Sequence, residues 1–221
     1  MRDADSLTDA LALLAERDPR LARALRDVGP PEPRVREAGF GTLLRVIVDQ
    51  QVSTAAGAAI WAKVTTAYGA APDPAAIAAA TDEALTACGL SKPKRRYAVA
   101  LAREVAEGRL DVDGLAALPD DDVRRALLPL PGIGPWTVDI YLMFALGRPD
   151  VWPVGDLALQ AACAGLFELP KRPDAATLEV LGEGWRPHRS AASLLLWRWY
   201  GGVLKNRTGA GIPMTESGKK T

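Results

Sequence analysis

Metal-binding and reactive side chains are scarce in this chain: 221 residues hold two cysteines and a single histidine. With no Cys-x-x-Cys pair and only His188, no zinc site is expected. An ordinary iron–sulfur cluster takes four thiolates, more than the chain has. Cys88 and Cys163 stand far apart beside apolar neighbours and read as buried free thiols of a reducing compartment. Net charge is absent too, because 27 basic and 27 acidic residues cancel. A nucleic-acid site would therefore have to come from local segregation of charge. No apolar run approaches the roughly 20 residues of a membrane span, and the first residues lack the apolar core of a signal peptide. A cytoplasmic protein without a membrane partner, working as a monomer, is the expectation.

Strand-forming patterns are missing as well: no stretch alternates apolar and polar residues for long. What is abundant is Ala, Leu, Arg and Asp, a mixture that favours helices. The fold class expected is all-α. Helices are predicted from Leu7 to Glu16 with Ser6 or Thr8 as cap, then, after Pro30-Pro31-Glu32-Pro33, from about Val35 to Asp49. Ser53 or Thr54 opens the next, which ends at Gly69; Asp73, Thr81 and Ser91 cap three more. Asp120 to Leu128, Pro135 to Leu146, Asp156 to Phe167, Thr177 to about Gly182 and Ser190 to Val203 complete the series. The polar residues from Asn206 onward, with 208–221 as the boundary, read as a disordered tail.

The densest signal is Leu130-Pro-Gly-Ile-Gly-Pro-Trp136. Gly132 and Gly134 flank Ile133, which can plug down between two helices while the glycines let the backbone turn sharply. Pro135 suits the first position of the following helix, whose N-terminus offers unpaired amides and a positive dipole to an anion such as a DNA phosphate. An ordinary helix–helix turn is the plain alternative, since Gly and Pro punctuate many turns. Twenty residues after Trp136 comes Asp156, at the start of the next helix. Its plain role is an N-cap; a helix N-terminus also favours the ionised carboxylate. A backbone anion clamp with an acid nearby points to an enzyme that cuts a base from its sugar in DNA.

Four ordered segments carry a more specific likeness. They are Phe40-Gly-Thr-Leu-Leu-Arg-Val-Ile-Val-Asp-Gln-Gln-Val-Ser, Gly89-Leu-Ser-Lys-Pro-Lys-Arg-Arg-Tyr, Leu-Pro-Gly-Ile-Gly-Pro-Trp-Thr with its downstream Asp156, and Trp185-Arg-Pro-His-Arg-Ser-Ala-Ala. Over roughly residues 5 to 205 the chain resembles the DNA-3-methyladenine glycosylase II (AlkA-type) branch of the helix-hairpin-helix glycosylases, in the compact form without an N-terminal β domain. The resemblance implies two helical subdomains with an active-site cleft between them. One would be residues 38–149, the other 1–37 plus 150–207. It implies that the backbone carbonyls of Leu128, Leu130 and Ile133 hold a monovalent cation, Na or K, against the phosphate, with no cofactor for catalysis. The implied partner is double-stranded DNA containing alkylated bases.

In that family the aspartate matching Asp156 faces the sugar, so the resemblance implies that it stabilises the developing oxocarbenium charge and orients or deprotonates water. Bifunctional relatives carry a lysine two residues beyond the second glycine, where this chain has Trp136. An indole cannot form an imine, so a monofunctional hydrolase without lyase activity is expected. Trp136 and Trp197 match positions lining the base pocket, where an indole face attracts a cationic alkylpurine. Ile140 and Arg198 stand where some relatives place an aromatic residue, which leaves pocket selectivity open. Core packing is the alternative for each Trp.

Gln51 matches the family's intercalating position, while Gln50 is expected to brace the loop; a plain polar loop residue is the alternative for Gln51. Lys92, Lys94, Arg95 and Arg96 form a local basic cluster, as do Arg186 and Arg189, and both phosphate contact and a solvated face fit them. Asp139 and Asp150 read as surface or loop residues. Two rivals remain at this point: a non-catalytic helix-hairpin-helix DNA-binding module in which Asp156 only caps, and a glycosylase for another lesion such as uracil or an oxidised purine.

Overall fold

A computed structural model describes residues 3–204. The tail expected to be disordered lies outside the described residues. Among them there are twelve α-helices and no strand. The described residues divide into two compact units, one of residues 3–33 and 149–204, the other of residues 34–148.

The first unit holds α1 (Ala4–Arg17), α2 (Pro19–Val28), α10 (Leu157–Leu166), α11 (Ala175–Gly182) and α12 (Arg189–Trp199), which ends in a π-helical turn, Tyr200–Leu204. Leu7, Leu11 and Leu14 recur at helical period on α1 and are all buried; each such side chain contributes about 1.5–3 kcal/mol when removed from water. Asp3, and not Ser6 or Thr8, caps α1 by accepting the Ser6 amide. The sequence reading contained no helix between Glu16 and Pro30, yet α2 is there. Its start signal is Asp18-Pro19: Asp18 accepts the Arg20 amide at 2.9 Å and Pro19 occupies the first turn. Asp18 also accepts the Trp185 indole N–H at 3.0 Å, tying the first helices to the far end of the chain. α12 is buried nearly all round, from Arg189 to Leu196 and again at Trp199.

The second unit holds α3 (Phe40–Asp49), α4 (Thr54–Tyr68), α5 (Pro74–Ala78), α6 (Asp82–Ala87), α7 (Lys92–Ala106), α8 (Asp120–Leu127) and α9 (Pro135–Phe144). Every residue of α9 from Thr137 to Phe144 is buried, which makes it the central helix of this unit. The helix expected from Val35 begins only at Phe40. The preceding segment is extended, with the Arg36 amide donating to the Phe144 carbonyl at 2.8 Å. Gly39 then sits at φ +129, a conformation closed to residues with a side chain. Its amide donates to the Tyr141 hydroxyl at 3.0 Å, fixing the start of α3 on α9. Helix α9 stops at Phe144, two residues before the expected end.

Candidate active site

In the second unit, α8 and α9 are the arms of the hairpin. Ile133 is buried beneath the turn, and its amide donates to the Leu130 carbonyl at 3.1 Å. The two glycines differ in what they do, against the expectation that both are needed for the turn. Gly132 has φ +80, and a Cβ there would clash with the Tyr97 ring, 2.2 Å from its nearest carbons. Gly134 is extended, at φ −100 and ψ 176, and a Cβ there would meet nothing within 4 Å. Gly132 therefore serves the turn, whereas Gly134 keeps the N-terminus of α9 open to close approach from outside. No side chain caps α9, and Pro135 occupies its first turn, so the amides at that end remain directed outward.

A charged pair holds the arms together. Arg124 on α8 reaches Asp139 on α9 at 2.6 Å, and Asp139 is buried. The expectation of a surface or loop residue at Asp139 is thus wrong, because its charge is matched by an arginine on the other arm. Gln50 makes the second brace: its Nε2 donates to the Gly132 carbonyl at 2.8 Å and to Thr137 Oγ1 at 3.0 Å. Gln51 beside it is exposed and held at φ +53, the left-handed region that a non-glycine residue adopts at a cost of order 1–3 kcal/mol. A strained, exposed side chain on a braced loop is presented outward. Of the pocket candidates in this unit, Trp136 is half-buried and Ile140 is 7% exposed.

In the first unit, Asp156 is the N-cap of α10. Its Oδ1 accepts the Leu159 amide at 2.8 Å and the Trp197 indole N–H at 2.9 Å. Two donors on one oxygen fix the carboxylate plane. Trp197 is half-buried on α12, so its contact with Asp156 goes beyond the pocket-wall role expected for it. Tyr200 follows one turn later on the same helix, where i, i+3 residues share a face. Burial first, and then the negative charge of Asp156, push its phenol above the ordinary tyrosine range. Tyr200 is thus a neutral phenol within electrostatic reach of Asp156. Sequence reasoning missed it, although its three-residue spacing from Trp197 was the available signal.

Cys88 and Cys163 are free and buried. Burial pushes the Cys163 thiol up to about 12, and it raises Cys88 as well. The second basic cluster is taken up internally: Arg189 is buried and donates from Nε to Asp150 at 2.8 Å, and Arg186 pairs with Asp150 and Glu183. Asp150 is accordingly a buttress for α12 rather than a loose loop residue. In the first cluster Arg95 pairs with Asp82 at 2.8 Å, and Lys94 is buried. Among the described residues no group of three or more His, Cys, Asp or Glu side chains could hold a metal.

A family model described as HhH-GPD superfamily base excision DNA repair protein matches residues 44–187. DNA-3-methyladenine glycosylase 1 of Schizosaccharomyces pombe is 30% identical over 199 residues, covering 87% of each chain. A Bacillus subtilis relative, provisionally named a DNA-3-methyladenine glycosylase, is 32% identical over 72% of this chain; the match spans 58% of the relative's own length. A solved structure of the Schizosaccharomyces pombe 3-methyladenine DNA glycosylase with abasic DNA superimposes with a TM-score of 0.81 at 29% identity, covering 86% of this chain and 95% of the other.

Proposed function

The chain belongs to the HhH-GPD superfamily of base excision DNA repair proteins, and from that membership we propose that it is a monofunctional DNA glycosylase. Its substrates are alkylated bases of the 3-methyladenine and 7-methylguanine type in duplex DNA. The observation that carries the reading is Asp156, oriented on one oxygen by the Leu159 amide and the Trp197 indole. A carboxylate used only as a cap has no need of the second donor.

An N-alkylated purine is a cation in the damaged nucleotide, so it departs without a general acid. The C1′–N bond breaks with its electron pair moving to the base, which quenches the positive charge there. The positive charge that grows on the sugar is stabilised by the Asp156 carboxylate. A water oxygen then bonds to C1′, and its proton passes to Asp156 or to solvent. Trp136 and Ile140 in the second unit, and Trp197 beside Asp156 in the first, are the residues assigned to contact the damaged base in this reading. Gln51 fills the gap left by the flipped nucleotide. The amides behind Gly134 and Pro135 hold a phosphate in this reading, and the Leu128, Leu130 and Ile133 carbonyls would hold a monovalent cation, which would add a positive charge beside it. The test is incubation with duplexes that each carry one defined lesion, scored for abasic sites. Release of methylated purines is expected; release of no base at all would favour a DNA-binding module, and release of uracil or 8-oxoguanine alone would move the substrate class.

Two further results are expected. Borohydride added during turnover should trap no covalent protein–DNA adduct, because Trp136 stands where a Schiff-base lysine would be needed. Efficient trapping would reveal an amine nucleophile and end the monofunctional assignment. Gln51→Ala should slow excision from stable duplexes more than from mismatched or single-stranded DNA, since unstacking costs a few kcal/mol that looser substrates do not impose in full. Equal loss on both would remove the wedge role.

A further inference from the structure

A cavity of about 520 Å³ lies between the Gln50–Gln51 loop, the Gly132–Gly134 turn and the first turn of α7. The α7 wall is unusual. The helix is 15 residues long, and its N-cap, Ser91, makes no side-chain bond back to it, so the first-turn N–H groups of Lys92 and Lys94, on either side of Pro93, which has none, point their positive end outward. In the same turn Lys94 is 8% exposed and lines the cavity. Its ammonium donates to the Val48 carbonyl at 2.7 Å, and no carboxylate pairs with it among the described residues. An ammonium has three donors, so one bond leaves two in hand. The acid that acts on it electrostatically, Asp49, is already bonded by Arg45 at 2.9 Å. Burial pulls the Lys94 pKa down, which an anion seated in the cavity would reverse.

We propose that the first turn of α7, with Lys94, is a second phosphodiester-binding site, distinct from the hairpin and taking another phosphate of the same DNA. The inference rests on the glycosylase reading. A polyanion held at the hairpin brings further phosphates to neighbouring walls, and this wall presents a buried cation and uncapped amides. The cation that matters in the Lys92–Arg96 cluster is thus the buried one and not the exposed ones. Because Lys94 also grips the last turn of α3, a phosphate bound there bears on the carbonyl just before the Gln50–Gln51 loop.

The experiment measures binding to abasic duplexes in which one phosphate at a time is replaced by a neutral methylphosphonate. Wild-type protein should lose affinity at two separate phosphates. Ser91→Asp places a carboxylate cap over the α7 amides; Asp is a good N-cap, so melting temperature should hold or rise. Affinity for the unmodified duplex should nevertheless fall about tenfold, and sensitivity should vanish at one phosphate only. Lys94→Met should remove sensitivity at that same phosphate. A single sensitive phosphate in wild type, or wild-type affinity in Ser91→Asp, would overturn the second site. Chemical-shift changes at the Lys94 amide with inorganic phosphate, without a phosphate-specific effect in the duplex, would also overturn it in favour of a free anion. Failure of the wild-type protein to bind any duplex would instead overturn the glycosylase reading beneath it.

Discussion

Asp156→Asn should lower single-turnover base release by 100- to 1000-fold or more, with the fold intact. Loss of one preorganised electrostatic stabiliser costs about 2.7–4 kcal/mol in the transition state. An asparagine keeps what the structure asks of the side chain: its amide oxygen can accept from the Leu159 amide and the Trp197 indole, and Asn caps helices as well as Asp. Only the charge goes. Asp156→Ala is the informative companion, because it removes the acceptor too and should cost a further 1 kcal/mol or so of stability. The measurement pairs single-turnover excision with thermal melting and lesion-duplex binding. Wild-type turnover in Asp156→Asn would return the residue to a purely structural role.

Gly132→Ala should be the most destabilising change in the hairpin. An L-residue at φ +80 is strained by about 1–2 kcal/mol. The new Cβ also clashes with the Tyr97 ring at 2.2 Å, so the ring must move or push the turn aside, an overpacking cost of about 1–3 kcal/mol. The sum, about 2–5 kcal/mol, predicts a melting temperature lower by roughly 5–15 °C for a chain of this size, together with loss of duplex binding. Gly134→Ala is the control, since it has an ordinary φ and open space around the added Cβ. It should melt like wild type and lose affinity only. If Gly134→Ala unfolds the protein, or Gly132→Ala leaves it unchanged, the division of labour between the two glycines is wrong.

The hairpin and Asp156 were legible in the sequence because turns and caps are local. Pro-Gly-x-Gly-Pro and Gly-Asp-Leu announce backbone conformations within a few residues. The same kind of signal is present in Asp18-Pro19, a cap with Pro in the first turn, yet no helix was assigned there. What stayed hidden depends on residues distant in sequence. Nothing near Asp139 says that Arg124, on the other arm, matches its charge. Nothing near Gly132 says that the Tyr97 ring lies against it. Lys94 sits in a run of basic residues that looks solvated as a string, and only the carbonyl of Val48 explains its burial. Residues 35 to 39 carry an acceptable helical composition, and it is Gly39 and the hydrogen bond from Arg36 to Phe144 that hold them extended.

The first unit is assembled from both ends of the chain, and that bears on the order in which a ribosome can build it. Residues 34–148 are continuous and can collapse as soon as they emerge. Helices α1 and α2 are made first but must wait: Asp18 needs Trp185, and the Val28 carbonyl needs the guanidinium of Arg198. The Asp156 carboxylate waits as well, because it acquires its indole partner only when Trp197 has been translated. A nascent or truncated chain that stops short of α12 would therefore carry a finished hairpin and an acid held by the Leu159 amide alone. On the proposed reading such a fragment would grip DNA without releasing a base, so the last helix marks the point at which synthesis turns a binding protein into an enzyme.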